Sequence, residues 1–312
     1  VFSGSNPLLP TTRAGIAQLA RASAFQAEGC GFETRFPLHF SSFTSGSPFM
    51  ASIERAESHK LSVVIMTRNE QSNIGDCLSS LSSFAEVIVV DNGSTDETIS
   101  TVNKFSNARV ITSEWKGFGG TRQVGVDAAS HDWILWLDAD ERMNDELAQE
   151  ITRHLRTEEL SQVMSFPRRN FFLGKHIRGC GWSPDRVTRV FNRRYCRFNE
   201  KNVHEGIEAS GPLQVTKLNQ PINHYSYTSL RQYFEKNARY AELASKERRR
   251  TQRKVFAVEL FTRPIWEFFR RYVLKRGFTD GLRGLVISFG SAYYVFARDA
   301  YCLLEKETPP VN

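Results

Sequence analysis

The sequence lacks the cysteine pairs and the long apolar runs that mark disulfide-rich and membrane-spanning proteins. Its five cysteines are scattered, and none belongs to a C-x-x-C pair. This spacing argues against a disulfide scaffold or a cysteine zinc site and fits a reducing compartment. The most apolar stretch, residues 285–297, is closed by Arg298 and falls short of the roughly 18 apolar residues that a membrane-spanning helix needs. We therefore predict no membrane span.

The composition is that of a folded protein with one strongly basic segment. Of the 312 residues, 40% are hydrophobic and 24% are charged, which excludes a wholly disordered chain. The net charge is +7, but residues 231–283 hold 15 Lys and Arg against 6 Asp and Glu, so the rest of the chain is slightly acidic. A basic surface of this kind suits nucleic acid, anionic lipid or an anionic substrate, and charge alone does not choose among them.

Changes in sequence pattern divide the chain into four parts. Residues 1–49 precede the first methionine, Met50, show no sustained period and in part resemble a translated transfer-RNA gene. We expect them to be a disordered extension or the product of a wrongly assigned start. Residues 60–228 form the predicted main domain, residues 229–304 an amphipathic helical region, and residues 305–312 a tail.

Within the main domain, short β-branched runs alternate with helical patterns. We predict strands at 61–66, 86–90, 108–112 and 133–137, and helices at 73–81, 95–105, 120–129 and 144–155. This alternation is typical of an α/β fold, here a Rossmann-like, mostly parallel sheet with helices on both faces. Ligands of such folds bind at the carboxyl ends of the strands.

Acid-rich polar segments follow three of these strands. Residues 67–70 follow the first strand, Asp91 ends the second, and Asp138 and Asp140 follow the fourth. The last two lie two residues apart, so both carboxylates can face one way and suit Mg²⁺ or Mn²⁺. The alternative is a solvated turn in which Asp140 caps the next helix. Asp91 is able to accept hydrogen bonds from a base or ribose, or to form an Asx turn.

A glycine-rich segment, residues 117–122, leads into the third predicted helix, which begins at Gly120. It would place the fixed cation of Arg122 beside flexible backbone at Gly120, where both could meet a diphosphate. As a glycine motif it is weak, because it does not follow a strand directly as a dinucleotide fingerprint does.

Taken together, these segments resemble those of family-2 glycosyltransferases with the nucleotide-sugar-binding A-type fold. The resemblance covers residues 60–228 and rests on VVIMTRNE at 63–70, VVDNGSTD at 89–96, the glycine segment 119–125 and WLDADE at 136–141. More narrowly, WSPDR at 182–186, RVF at 189–191 and VHE at 203–205 resemble the lipopolysaccharide inner-core β-1,4-glucosyltransferase branch.

The resemblance implies transfer of a sugar from a nucleoside diphosphate donor with inversion at the anomeric carbon. It implies a donor-binding set and a metal set around Mg²⁺ or Mn²⁺. The donor set comprises Thr67, Asn69, Glu70, Asp91, Gly120, Arg122 and Asp138, and the metal set comprises Asp138, Asp140 and His204.

The general base must come from elsewhere, since a carboxylate that binds the cation cannot also reach the acceptor. Glu205 is the first choice and Asp185 the second. The Asp-rich base motif and the Gln-x-x-Arg-Trp sequence of synthase members are absent from the chain. His204 is also explicable as a surface or partly buried imidazole, and Asp185 as a helix cap or ion-pair partner. We assign His224 a core role.

Beyond residue 228, aromatic residues lie among cations at helical spacing. This mixture suits a helix in a lipid interface, although part of the apolar stripe must pack on the main domain. We expect a metal-dependent transferase at the cytoplasmic face of a bacterial inner membrane, using UDP-glucose and a lipid-linked or core-saccharide acceptor. An anionic membrane surface, and not nucleic acid, is the expected macromolecular partner. The alternatives are transfer to polyisoprenyl phosphate or another saccharide, a sugar nucleotidyltransferase and a non-catalytic saccharide-binding module.

Overall fold

The computed structural model describes residues 61–156, 162–199, 206–209, 211, 214–250 and 255–305. The expected N-terminal extension, the candidate residues His204 and Glu205 and all but the first residue of the predicted tail lie outside these ranges.

A mixed sheet of ten strands forms the centre of the protein, with the order β3-β2-β1-β4-β8-β6-β12-β5. Strand β1 is central to its first half and pairs in parallel with β2 and β4. Strands β11 and β7 pair with β6, and β9 and β10 form a separate hairpin. The strands are β1 (Leu61–Thr67), β2 (Glu86–Asp91), β3 (Ala108–Thr112), β4 (Trp133–Asp138), β5 (Glu141–Arg142), β6 (Val163–Phe172), β7 (Lys175–His176), β8 (Arg186–Asn192), β9 (Cys196–Phe198), β10 (Ile207–Ala209), β11 (Val215–Lys217) and β12 (Ile222–Tyr227).

Seven α-helices accompany the described strands. They are α1 (Ile74–Ser79), α2 (Thr98–Val102), α3 (Gly117–Asp127), α4 (Asp145–Arg156), α5 (Leu230–Arg250), α6 (Glu259–Phe269) and α7 (Leu282–Leu304). A π-helical turn, Arg270–Leu274, and a 3-10 turn, Gly277–Asp280, connect α6 to α7.

Both faces of the first half of the sheet are covered, as the β-branched runs predict. Alternate residues of β1 divide between two hydrophobic clusters: Val63 and Ile65 pack with α1, α2 and α4, whereas Val64 packs with α3 and β9. A strand that is buried on both faces has no solvent-exposed face that would require polar residues, so its sequence is continuously apolar. The predicted α/β fold with a mostly parallel sheet is confirmed, and the antiparallel strand β8 lies between β4 and β6.

The helices after β12 pack on the distal end of the sheet. Tyr233 of α5 and Ile287 of α7 join Phe172 and Tyr227 in a third buried cluster. The Tyr233 hydroxyl donates to the Ile287 carbonyl at 3.0 Å, and Gly290 leaves room for this ring, because a Cβ there would lie 2.3 Å from it. None of the described helices combines the length and the apolarity needed to cross a bilayer.

Candidate functional site

The sheet brings the polar strand ends together at one edge. Thr67 pairs with Asp91 across β1 and β2, and Met66 pairs with Asp138 across β1 and β4. The three segments that follow these strands are therefore neighbours, as the parallel arrangement predicts. The hydroxyl oxygen Oγ1 of Thr67 is buried and has no hydrogen-bond partner among the described residues. A buried polar atom without a partner points to a ligand or water at this edge.

Hydrogen bonds join the loop after β1 to the loop after β2. The Asn69 amide N donates to Ser94 Oγ at 2.9 Å, and the Thr95 amide N donates to Asn69 Oδ1 at 2.8 Å. The Glu70 amide N donates to Thr98 Oγ1 at 2.8 Å. Asn69 has a left-handed backbone with φ of 56°, which asparagine tolerates better than most residues. The two loops therefore form one rigid rim on which Asn69 is a structural link.

Asp91 forms the Asx turn that the sequence left open. Its Oδ2 accepts the amide N–H groups of Gly93 and Ser94, both at 3.0 Å, and Oδ1 accepts the Ser94 hydroxyl. Gly93 has φ of 82°, a conformation that glycine adopts without strain. The carboxylate is buried at the strand end and is fixed before any ligand arrives.

Two buried arginines hold Asp138. Arg122 Nη2 donates to Oδ1 at 2.6 Å and Arg189 Nη2 donates to Oδ2 at 2.7 Å. Both guanidinium groups stack on the Trp136 ring, with Cζ 4.3 Å and 3.7 Å from its centroid. Burial opposes ionisation of Asp138, but Arg189 and Arg122 outweigh it and hold the pKa of this carboxyl well below its ordinary value.

The glycine segment before Arg122 differs from the sequence prediction. Helix α3 begins at Gly117, three residues before the predicted start at Gly120, so the segment is helical and does not place a flexible backbone beside Arg122. The close backbone approach occurs at Gly119, where a Cβ would lie 2.3 Å from the Asn199 carbonyl oxygen. Arg122 is buried and held on one side of the helix, so the expected fixed cation is present.

Arg189 and Glu141 complete the ion-pair network beneath Asp138. Arg189 donates to Glu141 Oε1 at 2.6 Å, and Arg168 lies 3.4 Å from the same oxygen. Glu141 is fully buried and also accepts the Asp138 amide N–H at 3.1 Å. Sequence reasoning did not assign either residue to the site. Glu141 lies in the WLDADE motif and Arg189 in the RVF motif, and this is the sequence feature that points to them.

A second network begins at Asp140. Its Oδ2 lies 3.3 Å from His224 Nε2, and His224 is buried on β12. On the other side of the ring, Nδ1 lies 2.6 Å from Asn170 Oδ1. Asn170 Nδ2 in turn donates to the Trp182 carbonyl and to Asp185 Oδ2, both at 3.0 Å. His224 is thus buried as predicted, but it is also the neighbour of a candidate metal ligand, which the sequence did not indicate.

The direction of these hydrogen bonds assigns the His224 tautomer. Because the Trp182 carbonyl can only accept, the Asn170 amide must present its nitrogen there and its oxygen to His224. Nδ1 of His224 therefore carries a proton. In a neutral imidazole, Nε2 then directs a lone pair at the Asp140 carboxylate, an arrangement that needs a positive charge between them. A cation bound there would supply that charge. Burial acts to raise the pKa of Asp140, but the contact with His224 lowers it below its ordinary value.

The donor set at this edge fits a hard divalent cation held by few protein ligands. Asp140 and His224 provide an oxygen and a nitrogen that is oriented by its own hydrogen-bond partner, as is usual for metal-bound histidine. The two oxygens of Asp138 face arginines, so Asp138 fits the metal set less well than predicted. Among the described residues, no three His, Cys, Asp or Glu side chains converge on one metal position. Such a cation would keep open positions for phosphate oxygens.

Glu70 and Asp185 flank this centre. Burial raises the pKa of Glu70, and the negative charges of Asp140 and Asp138 raise it further. Asp185 is held by Arg168 Nε at 2.7 Å and by Asn170, and both contacts use Oδ2. The structure thus links Asp185 to Asp140 through Asn170 and His224.

Comparisons with known proteins give the family. Residues 62–209 match the model of glycosyl transferase family 2. These residues form a family-2 glycosyltransferase domain, and the chain is a glycosyltransferase. An uncharacterised glycosyltransferase of Rickettsia conorii is 27% identical over 258 residues, covering 79% of this chain and 90% of the relative. The lipopolysaccharide core biosynthesis glycosyltransferase LpsC of Rhizobium meliloti is 28% identical over 247 residues, covering 76% of this chain and 89% of the relative.

The similarity of the glycosyltransferase to these relatives extends beyond the segment that the family model matches. Among solved structures, residues 1–349 of S. aureus TarS in complex with UDP-GlcNAc are 16% identical, with a TM-score of 0.42. That likeness covers 76% of this chain and 81% of that chain.

Proposed function

We propose that this glycosyltransferase moves a hexose, glucose from UDP-glucose, to a saccharide or lipid-linked acceptor in lipopolysaccharide core synthesis, with inversion at the anomeric carbon. The observation that carries the proposal is the shared edge of β1, β2 and β4, where Asp91, Asp138 and Asp140 converge within a family-2 domain. Similarity to LpsC over most of both chains supports the choice of acceptor class.

In this proposal the nucleotide lies along the rim formed by the loops after β1 and β2. Thr67, Asn69, Glu70 and Asp91 line the base and ribose side, and the buried Thr67 hydroxyl gains a partner there. Asp138 with Arg122 and Gly120 lies on the diphosphate side. Arg122 and Arg189 both donate hydrogen bonds to Asp138. The role of Asp138 is therefore to hold these two guanidinium groups at fixed positions that face the donor.

Asp140 and His224 hold Mg²⁺ or Mn²⁺ in this proposal, and His204 is the further ligand that the sequence suggests. A bound divalent cation would neutralise the charge that develops on the departing diphosphate. Asn170 keeps Nδ1 of His224 protonated and so leaves Nε2 available for the cation.

The acceptor hydroxyl must lose its proton as it attacks the anomeric carbon. Glu205 and Asp185 are the two candidate bases. Asp185 belongs to the same hydrogen-bond network as Asp140, and its contacts among the described residues leave Oδ1 to take a proton. Comparing transfer rates of Glu205→Gln and Asp185→Asn identifies the base, since losing one costs roughly 100- to 10,000-fold.

An anionic membrane surface is the proposed partner of the C-terminal helices, at the cytoplasmic side of the inner membrane. The α6 stripe, defined as Val258, Phe261, Ile265 and Phe269, repeats at helical spacing and is exposed, with Ile265 at 70%. The α7 stripe, defined as Leu282, Leu285, Phe289, Tyr293 and Phe296, is also exposed. Apolar surface of this extent marks an interaction site, and the exposed cations Lys275 and Arg276 lie in the turn between the helices.

A donor screen tests the proposed function. Purified protein is incubated with several nucleotide sugars and Mn²⁺, with or without lipopolysaccharide truncated in its inner core, and nucleotide release is measured. We expect UDP release from UDP-glucose that requires the acceptor. Release of pyrophosphate from a nucleoside triphosphate would instead indicate a nucleotidyltransferase, and transfer only to polyisoprenyl phosphate would replace the proposed acceptor.

A further inference from the structure

The loop between β7 and β8, residues 177–185, is held by the C-terminal helical region. The Asp280 carboxylate, in the 3-10 turn, accepts the Arg178 amide N–H at 3.0 Å through Oδ1 and the Gly179 amide N–H at 2.7 Å through Oδ2. Asp280 is buried, and Gly179 packs so closely on this turn that a Cβ would lie 2.4 Å from the Arg276 carbonyl oxygen. Both oxygens of this buried carboxylate therefore accept hydrogen bonds from backbone N–H groups that lie about a hundred residues earlier in the chain.

Arg271 fixes the next residue of the loop. It is buried in the π-helical turn, donates through Nε to Glu267 at 2.5 Å and through Nη1 to the Cys180 carbonyl at 2.8 Å. Cys180 has φ of 57°, a left-handed conformation that is unfavourable for a residue with a Cβ. Such a conformation persists only where surrounding contacts impose it, and it clusters at functional sites. Arg271 and Asp280 supply those contacts here.

The far end of the loop reaches the proposed active site. The Trp182 carbonyl accepts from Asn170 Nδ2, the same group that donates to Asp185 Oδ2. Asn170 also contacts His224, which lies beside Asp140. The shape of the loop therefore sets where Asp185 lies relative to Asn170 and His224.

We propose that Asp280 and Arg271 are positioning residues for the reaction and act through Asp185. They belong to the C-terminal helical region, outside the segment 62–209 that matches the family model. This inference rests on the proposed function, in which Asp185 lies on the acceptor side. A displacement of about 1 Å at a reacting group is able to cost about 100-fold in rate, so the loop need not unfold for the effect to be large.

Asp280→Asn tests the inference, because asparagine keeps the shape but accepts only one of the two amide N–H groups. The assay uses UDP-glucose, Mn²⁺ and truncated lipopolysaccharide, and each rate is divided by the number of UDP-binding sites from calorimetry. We expect transfer per UDP-binding site to fall about 10- to 100-fold with the Kd for UDP unchanged. Hydrogen–deuterium exchange at the Arg178 and Gly179 amides should become faster.

Asp299→Asn is the matched control. Asp299 is another fully buried carboxylate of the same region, bound by Arg248 at 2.8 Å and Arg298 at 2.8 Å, and none of its described contacts involves the 177–185 loop. It should lower thermal stability but leave transfer per UDP-binding site within about twofold of wild type. If Asp280→Asn does not fold, Arg271→Lys takes its place, since lysine keeps the charge for Glu267 but cannot also reach the Cys180 carbonyl.

A double-mutant cycle with Asp185→Asn separates positioning from general stabilisation. If Asp280 acts through Asp185, adding Asp280→Asn to Asp185→Asn lowers the rate by less than about threefold, because coupled residues are not additive. Additive losses, or a wild-type rate for Asp280→Asn, would overturn the inference. A wild-type rate for Asp185→Asn itself would overturn the proposed role of Asp185, and absence of transfer by the unmodified protein would overturn the proposed function.

Discussion

At the residue scale, Asp138 and Asp140 look equivalent in the sequence but have different partners. Asp138 forms ion pairs with the two buried guanidinium groups of Arg122 and Arg189, whereas Asp140 faces His224. The first carboxylate is part of the fold as well as of the site. The second has no arginine partner among the described residues and faces the His224 ring, so it is the better candidate to hold the cation.

We therefore expect different results from Asp138→Asn and Asp140→Asn. Both should lower transfer on the order of 1,000-fold, since electrostatic stabilisation of a leaving group is worth several kcal/mol. Asp138→Asn should also lower the free energy of unfolding by about 2 kcal/mol, because two buried arginines lose a charged partner. Urea unfolding and rate measurements on both variants check this, and equal stability losses would contradict the distinction.

His224 gives a second prediction at this scale. His224→Gln removes the oriented Nε2 and should lower the affinity for Mn²⁺ in the presence of UDP by about 10- to 100-fold. Ser226→Ala is the control, since Ser226 Oγ also lies 3.1 Å from Nδ1 but Asn170 still holds the ring. Calorimetric titration of both variants measures the difference. Equal Mn²⁺ affinity for wild type and His224→Gln would exclude His224 as a ligand.

The same residues show what the sequence could and could not predict about the site. Asp138 and Asp140 were found because a D-x-D pair after an apolar strand is a local pattern. His224 and Asn170 meet only through the pairing of β12 with β6, 54 residues apart in sequence. No local spacing encodes that contact. Arg189 reaches Asp138 in the same way, from a strand whose place beside β4 was not predicted.

At the scale of elements, helix α3 lies very close to the sheet at one glycine. A Cβ on Gly125 would lie 2.5 Å from Val64 Cγ1 and 2.7 Å from Val90 Cγ2, so no larger residue fits without moving the helix. The same helix carries Arg122. Its distance from β1 and β2 therefore sets the position of that cation.

We expect Gly125→Ala to lower the free energy of unfolding by about 1–3 kcal/mol, as overpacking does. It should also weaken UDP binding, because α3 and Arg122 move away from Asp138. Gly75→Ala in α1 is the matched control, where the nearest atom to a new Cβ is 3.5 Å away. Denaturant unfolding of both variants measures the effect. No difference between them would show that α3 adjusts freely.

Most of the first half of the fold was predictable because each element has its own local period. The predicted strands β1 to β4 and helices α1 to α4 agree with the structure within a few residues. Strands β5, β7, β9, β10 and β11 have only two or three residues and leave no period to detect. Glycine is also a poor helix former, so the sequence predicts a helix start at Gly120, three residues after the observed start of α3 at Gly117.

At the scale of the whole molecule, the exposed apolar stripes and the positive charge occur in the same region. Helix α6 has no buried residue, although most of its residues are apolar or aromatic. Arg271 is buried and therefore is not a lipid-facing cation, so a charge-reversal test should leave it unchanged. Lys275 and Arg276 are the exposed pair in the turn.

We expect the protein to bind vesicles of phosphatidylglycerol and phosphatidylcholine in a salt-sensitive manner and to bind phosphatidylcholine alone weakly. Lys275→Glu with Arg276→Glu should weaken binding at least about tenfold, since each surface cation contributes about 1 kcal/mol. Ile265→Asp should reduce insertion into both kinds of vesicle. Co-sedimentation measures this, and wild-type binding by the charge-reversed protein, or a concentration-dependent dimer instead, would contradict membrane docking.

In the proposed mechanism, the edge formed by β1, β2 and β4 binds a nucleoside diphosphate through a cation held by Asp140. Calorimetric titration of UDP tests it most directly, with Mn²⁺ and with EDTA, on wild type and on Asp140→Asn. We expect tight UDP binding only for wild type with Mn²⁺, and weak UDP binding in the other three titrations. Equal UDP affinity in all four titrations would contradict it.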